Sequence, residues 1–199
     1  LSDDATDAVD AVMGTGRVES FSDGVIAVII TIMAFELKTP IASNVHALSH
    51  RFPLLLVYIL SFVFVGIYWV NHHHLLHATR RISAGVMWAN LHLLFWLSLI
   101  PFVTAWIGAQ HGASLPAACY AVVGDGSGVA FSLLTRAIRR ANAHDDAATR
   151  ILSLKAKEVA STVLYTSSIG LAFLSPYIAY ALFVVVAVIW FVPDRRLVA

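Results

Sequence analysis

Hydrophobic and polar positions along this chain fall into long blocks rather than short alternations. From Phe52 to His74 no Asp, Glu, Lys or Arg interrupts the sequence; from Ile82 to Gly124 there are 43 such residues, and from Val159 to Val192 there are 34. A helix crossing the hydrocarbon core of a bilayer, about 30 Å thick, needs about 20 mostly apolar residues at about 1.5 Å of rise each. The first block makes one span. The second is too long for one and breaks at Gly108-Ala-Gln-His-Gly-Ala-Ser-Leu-Pro116. The third breaks at Ser175-Pro176, because the residue before a proline avoids helical backbone.

The block nearest the N-terminus is different. Its uncharged run, Gly24 to Phe35, has 12 residues and is bracketed by Asp23 and Glu36. A helix through residues 17–39 therefore brings at least one carboxylate to the membrane boundary or inside it, where ionisable groups face protein or water rather than lipid. The first span is expected to be an interior helix. The chain then reads as a single six-helix transmembrane domain over residues 1–199, with spans near 17–39, 52–74, 84–108, 114–136, 157–175 and 176–193. Residues 137–156 are basic and Ala-rich, which predicts a partly amphipathic, helical connector on the cytoplasmic side.

Composition agrees with the pattern. The chain is 59% apolar and 13% charged, with a mean hydropathy of +0.78, whereas soluble domains carry about a quarter charged residues. That excludes a disordered chain, a disulfide scaffold and an ordinary water-soluble enzyme, and predicts an all-α integral membrane protein. Cys119 is the single cysteine and cannot form an internal disulfide. A net charge of +1 gives no reason to expect a nucleic-acid partner. The first ten residues hold four aspartates and no basic residue, unlike a secretory signal; the first residue is not Met, so a trimmed start is expected.

The loops test the span count. With both termini in the cytoplasm of a cell-membrane protein, 11 Lys and Arg fall inside, and only Lys38 and Arg51 fall outside. The positive-inside rule expects such a bias.

Along the first span, Phe21, Val25, Val28, Ile32, Phe35 and Thr39 form a stripe of large groups at helical spacing. Beside it runs a stripe of small ones, Gly24, Ala27, Thr31 and Ala34, and small residues let helix backbones approach closely in lipid. From periodicity alone, a buried helix packed on both faces is a plainer reading than a pore lining. The polar flank Arg17, Ser20, Ser22 and Asp23 favours the second. Four copies around an axis would make a polar cytoplasmic mouth and then a narrow throat of Val28, Ile32 and Phe35. A ring of bulky apolar groups stops ions by shedding water. Thr31 is the one hydroxyl at the middle of this span able to replace an ion's hydration oxygen.

Arg17-Val-Glu-Ser-Phe-Ser-Asp-Gly24, the following Val-Ile-Ala-Val-Ile-Ile-Thr31, and Glu36-Leu-Lys-Thr-Pro40 resemble the first-helix signature RxxxFSDG of the transmembrane protein 175 potassium channels. Tyr68-Trp-Val-Asn-His-His-His74 resembles the second motif of that family, and Trp88-Ala-Asn-Leu with Leu99-Ile-Pro-Phe-Val-Thr104 resembles the third. The likeness is specific over residues 17–110. It implies a homotetramer of six-helix subunits, with the first helix lining a central pore and no TVGYG filter. It also implies a potassium-favouring cation channel in the lipid bilayer, without enzymatic activity, cofactor or structural metal. The family's apolar constriction falls on Val28, Ile32 and Phe35 and its pore-facing threonine on Thr31. Family members usually carry Ile or Leu at the constriction, so Val28 and Phe35 depart from the pattern. The family's interhelix network falls on Arg17, Phe21, Ser22 and Asp23, with His73 of the second motif beside it.

Other polar residues offer rival chemistries. Asn71, His72, His73, His74 and His77 cluster at the cytoplasmic end of the second span. His73 and His77 have the i, i+4 spacing of a metal pair, yet no Cys, Asp or Glu lies near them in sequence to complete a site. The plainer expectation is that one or two of them hydrogen-bond to the Ser22–Asp23 region. His92 with one of these histidines is the arrangement a haem-binding oxidoreductase would need. Asp125, inside Gly124-Asp-Gly-Ser-Gly128, is either a protonated, hydrogen-bonded group or a proton or cation site, as in a proton-coupled secondary transporter. The glycines around it predict either a close helix crossing or local unwinding. Tyr58, Trp88, Trp106 and Trp190 lie near span ends and read as interfacial anchors.

Overall fold

The structure is a computed structural model that describes residues 3–39, 43–110, 112–142 and 155–191, with side chains from Thr15 and from Lys157 in the first and last of these segments. Every regular element among the described residues is helical. They are α1 (Asp3–Phe35), α2 (Val45–Ser49), α3 (Phe52–His77), α4 (Ala84–Ser98), α5 (Ile100–Ala109), α6 (Ser114–Ala141), α7 (Lys155–Leu171) and α8 (Pro176–Phe191). Four stretches among them are long and apolar enough to cross a bilayer: Thr15–Phe35, Phe52–His77, Ala84–Ala109 and Ser114–Ala141. Pro176–Phe191 is a shorter apolar helix. The protein is a multi-pass, all-α membrane protein.

Local chemistry sets the boundaries. Asn44 starts α2 by accepting from the Ala47 amide at 2.8 Å, and Ser83 starts α4 by accepting from the Val86 amide at 3.3 Å. Pro53 sits in the first turn of α3 and Pro176 begins α8, where a missing amide hydrogen loses nothing. The third span, read from the sequence as one helix over 84–108, is interrupted at Leu99 between α4 and α5, because Pro101 cannot donate back to the carbonyl four residues earlier. α6 outruns the expected 114–136 and takes in the first residues of the predicted connector, ending at Asn142. Asn142 then closes the α3–α4 turn: its Oδ1 accepts from the Arg80 and Arg81 amides, and its Nδ2 donates to the Arg81 carbonyl at 3.2 Å. Residues 143–154 of the connector lie outside the described residues, as do residues 192–199 beyond α8.

Crossings successive along the chain alternate in direction. Ser22, His72 and Asn90 meet at one end, near the Arg81–Asn142 contact, while the opposite end brings Leu54 onto Gly108 and Tyr177 onto Gly112. α6 is the central helix. It packs on α4, α5, α7 and α8 through Tyr120, Ala121, Ala130, Phe131 and Leu134, all of them buried. Ser61 of α3 reaches Thr104 of α5 at 2.7 Å and Tyr120 of α6 at 3.0 Å. In lipid, where apolar burial drives little helix association, such bonds and close packing hold helices together at about 0.6 kcal/mol per bond. α1 lies at the edge of the bundle and touches α3, α4 and α5.

Candidate permeation face and its anchoring network

α1 packs on one narrow face. Ser22, Ile26, Ile29 and Met33, spaced 4, 3 and 4 apart, are buried against the bundle. Val25 and Ile30 flank that face and are half-buried against the same core, while most of the remaining membrane stretch is exposed among the described residues. Phe21 is 55% exposed, Val28 56%, Ile32 46% and Phe35 80%. Gly24, Ala27, Thr31 and Ala34 are exposed beside them. The small stripe and the Phe21, Val28, Ile32 and Phe35 members of the large one therefore form one open surface, while Val25 of the large stripe is half-buried against the core. Thr31 donates its hydroxyl proton to the Ala27 carbonyl at 2.7 Å. That turns the oxygen's lone pairs outward, the arrangement a cation ligand needs.

Three polar links tie α1 to its neighbours. In the buried one, the His72 Nε2–H donates to Asn90 Oδ1 at 2.7 Å, Asn90 Nδ2 donates to Ser22 Oγ at 2.9 Å, and Ser22 donates to the Val18 carbonyl at 2.7 Å. The amide orientation fixes the imidazole tautomer, because an amide oxygen only accepts. The relay of donors runs from α3 through Asn90 of α4 to α1. Among the described residues His72 Nδ1 is left without a hydrogen-bond partner. The second link is Trp69 Nε1 donating to Asp23 Oδ1 at 3.0 Å. The third joins Glu19 Oε1 to His73 Nδ1 at 2.9 Å and to His77 Nδ1 at 3.4 Å.

Of the residues expected to form the interhelix network, Ser22, Asp23 and His73 touch other spans. Arg17 and Phe21 are exposed and border an open hollow with Val18, Met87, Asn90 and Leu91. Glu19, Trp69 and Asn90 are not marked by the sequence for these roles, whereas His72, one of the cluster expected near Ser22–Asp23, reaches Ser22 through Asn90. Asn90 carried a usable signal: a lone amide in an apolar span needs a partner on another helix.

The glycine-flanked carboxylate is held by packing. α6 runs unbroken through Gly124–Gly128, which excludes local unwinding and leaves the close crossing. A Cβ on Gly124 would stand 2.6 Å from the Tyr165 ring, and one on Gly126 would stand 2.5 Å from the Trp96 ring. Asp125 Oδ2 accepts from Thr166 Oγ1 at 3.1 Å, and Oδ1 is buried with no partner among the described residues. His92, the candidate haem ligand, is exposed and accepts the Trp96 indole N–H on Nε2 at 3.0 Å.

Comparison with known proteins decides among the rival readings. Residues 17–101 match the family described as the endosomal/lysosomal potassium channel TMEM175. A potassium channel of Chryseobacterium sp. is 44% identical over 185 residues, covering 93% of this chain and 96% of its own. The chain belongs to the TMEM175 family. A potassium channel of Streptomyces collinus is 31% identical over 172 residues, covering 81% of this chain and 84% of its own. The crystal structure of a lysosomal potassium-selective TMEM175 homolog from Chamaesiphon minutus superposes with a TM-score of 0.79 at 26% identity, covering 90% of this chain and 97% of that one. TMEM175 proteins are ion channels and not enzymes, which removes the haem oxidoreductase. The family match takes in α1 from Arg17 onward, α2, α3, α4 and the first residues of α5, and so includes the open face and the three polar links that α1, α3 and α4 carry.

Proposed function

We propose that the protein is a potassium-selective channel in which four copies surround a central pore and the open face of α1 lines it. The observation that carries this reading is the contrast within α1. One face is anchored by Ser22, Ile26, Ile29 and Met33, while Phe21, Val28, Thr31, Ile32 and Phe35 are exposed among the described residues. A purely lipid-facing surface has no use for an outward hydroxyl beside three small residues, whereas a packed, water-touched symmetry axis has use for both. α7 and α8 complete six crossings in this reading, and the excess of Lys and Arg on one side sets both termini in the cytoplasm.

Conduction follows from the side chains. Potassium gathers at the mouth near Asp23 and reaches the Thr31 level, where four hydroxyl oxygens replace part of its hydration shell. The Val28, Ile32 and Phe35 rings hold back water and ions until rotation or spreading of α1 widens them enough to wet. No rigid carbonyl cage is needed. The deciding test is the reversal potential of purified protein in liposomes under a potassium gradient, combined with the mass of the assembly in detergent. A potential following potassium and a mass of four chains support the reading; an unselective leak or a lone chain overturns it.

A further inference from the structure

The strongest unassigned cluster in the molecule is Glu19 with His73 and His77. The i, i+4 pair on α3 has metal spacing, and the fold supplies the missing carboxylate from α1, 54 positions before His73. We propose that these three side chains form a site for a divalent transition ion of the zinc type, which clamps α1 to α3.

Geometry carries the proposal. The His73 and His77 ring centroids are 4.4 Å apart with a 39° tilt, and both Nδ1 atoms converge on the same carboxylate oxygen. The three potential ligand atoms all lie within 4.8 Å of one another. A tetrahedral zinc ion with bonds of about 2.0–2.1 Å spaces its ligands about 3.3 Å apart. The observed separations of 2.9 and 3.4 Å bracket that spacing. A His2Glu donor set with water in the fourth position is an established zinc environment. Solvent access is adequate, because the His77 side chain is 65% exposed and the Glu19 side chain 20%. Trp69 stacks on His73 at a 26° interplanar angle and is itself bonded to Asp23, so one ligand ring is already oriented.

The site joins the first and second spans one turn before Asp23. An ion there would stabilise the folded arrangement of α1 against α3, whatever α1 lines. Untagged protein in detergent would be titrated with Zn2+ alone, with bound metal counted after dialysis and the unfolding temperature followed. One ion per chain and a rising unfolding temperature are expected. Glu19→Gln and His77→Ala each weaken binding at least about tenfold and remove the thermal shift, while His74→Ala, at the adjacent exposed ring, leaves both unchanged. Equal binding by wild type and the Glu19→Gln/His77→Ala double variant overturns the site. So does equal weakening by His74→Ala, which would mark a diffuse histidine patch. Neither readout depends on conduction, so failure here leaves the pore reading intact, and the reverse holds as well.

Discussion

Asn90 Nδ2 donates to Ser22 Oγ at 2.9 Å, across 68 positions of sequence, and both side chains are buried. Through the other end of the same amide, Asn90 holds His72. One side chain on α4 thereby sets the position of α1 against α3 and α4 together. In the proposed channel, where α1 turns to wet the throat, this amide would act as a pivot at one end of the helix.

Asn90→Leu keeps the volume and removes both bonds. It strands the His72 Nε2–H and one acceptor position of Ser22 inside the bundle, at a cost of about 1–3 kcal/mol. The expected outcome is a lower unfolding temperature in detergent. Ser22→Ala, which leaves only the Asn90 amide without its acceptor, should give a smaller drop.

Gly126 faces a rigid ring. A methyl group there would stand 2.5 Å from Trp96, which cannot swing away without giving up its bond to His92. Gly126→Ala should destabilise the protein by about 1–3 kcal/mol through overpacking. Gly85→Ala is the control: its Cβ would meet Ser83 Oγ at an ordinary 3.7 Å. It should be neutral or slightly stabilising in the same melts.

What could be read from the sequence followed from physics that is local. Uncharged blocks set the crossings, and Pro176 and the Gly108–Pro116 stretch set the breaks, because span length and proline sterics need no partner to be known. The stripe Phe21, Val28, Ile32 and Phe35 was legible as a stripe, yet Ile26, Ile29 and Met33 on the opposite side are equally aliphatic. In lipid, apolarity does not separate a protein-facing side from any other, so periodicity left the faces of α1 undecided until packing was visible. Glu19 was illegible for another reason. Its partners His73 and His77 come close only when α1 and α3 lie antiparallel in contact, and no spacing along the chain encodes that. Gly124–Gly128 offered both unwinding and a close crossing, and the Tyr165 and Trp96 rings, supplied by two other helices, decided between them.

Asp125 tests whether the protein couples flux to a proton. Its Oδ2 accepts from Thr166, and Asn in the same place offers an equivalent amide oxygen. With α6 unbroken around it and the open face of α1 elsewhere, Asp125→Asn should leave potassium flux within about twofold, under about 0.5 kcal/mol on the barrier. Flux that saturates with potassium and disappears in this variant would instead indicate a transporter.

Ile32 is the middle of the three bulky groups on the open face. In the proposed tetramer, Ile32→Asn would place a hydrogen-bonding side chain at four positions around the throat and should hydrate it. Basal potassium flux into liposomes should rise about tenfold, the effect of lowering a barrier by about 1.4 kcal/mol. Unchanged flux would mean that this face packs against protein or lipid away from the permeation route.

Thr31 offers the sharpest discrimination between a selective pore and a merely wet one. Its proton is committed to the Ala27 carbonyl, so the group presented outward is an oxygen acceptor. Thr31→Val keeps the shape, replaces that oxygen with a methyl, and leaves α1 helical, since the Ala27 carbonyl retains its backbone bond. If α1 lines the pore of the proposed tetramer, four lost oxygens remove ligands that favour a partly dehydrated potassium ion over the more tightly hydrated sodium ion. The potassium-to-sodium permeability ratio, read as a reversal potential under bi-ionic conditions, should fall by roughly threefold or more, because a tenfold ratio corresponds to only about 1.4 kcal/mol. Thr31→Ser, which restores the oxygen, should return the potential toward wild type. If Thr31→Val leaves the potential unmoved, selectivity resides elsewhere along α1.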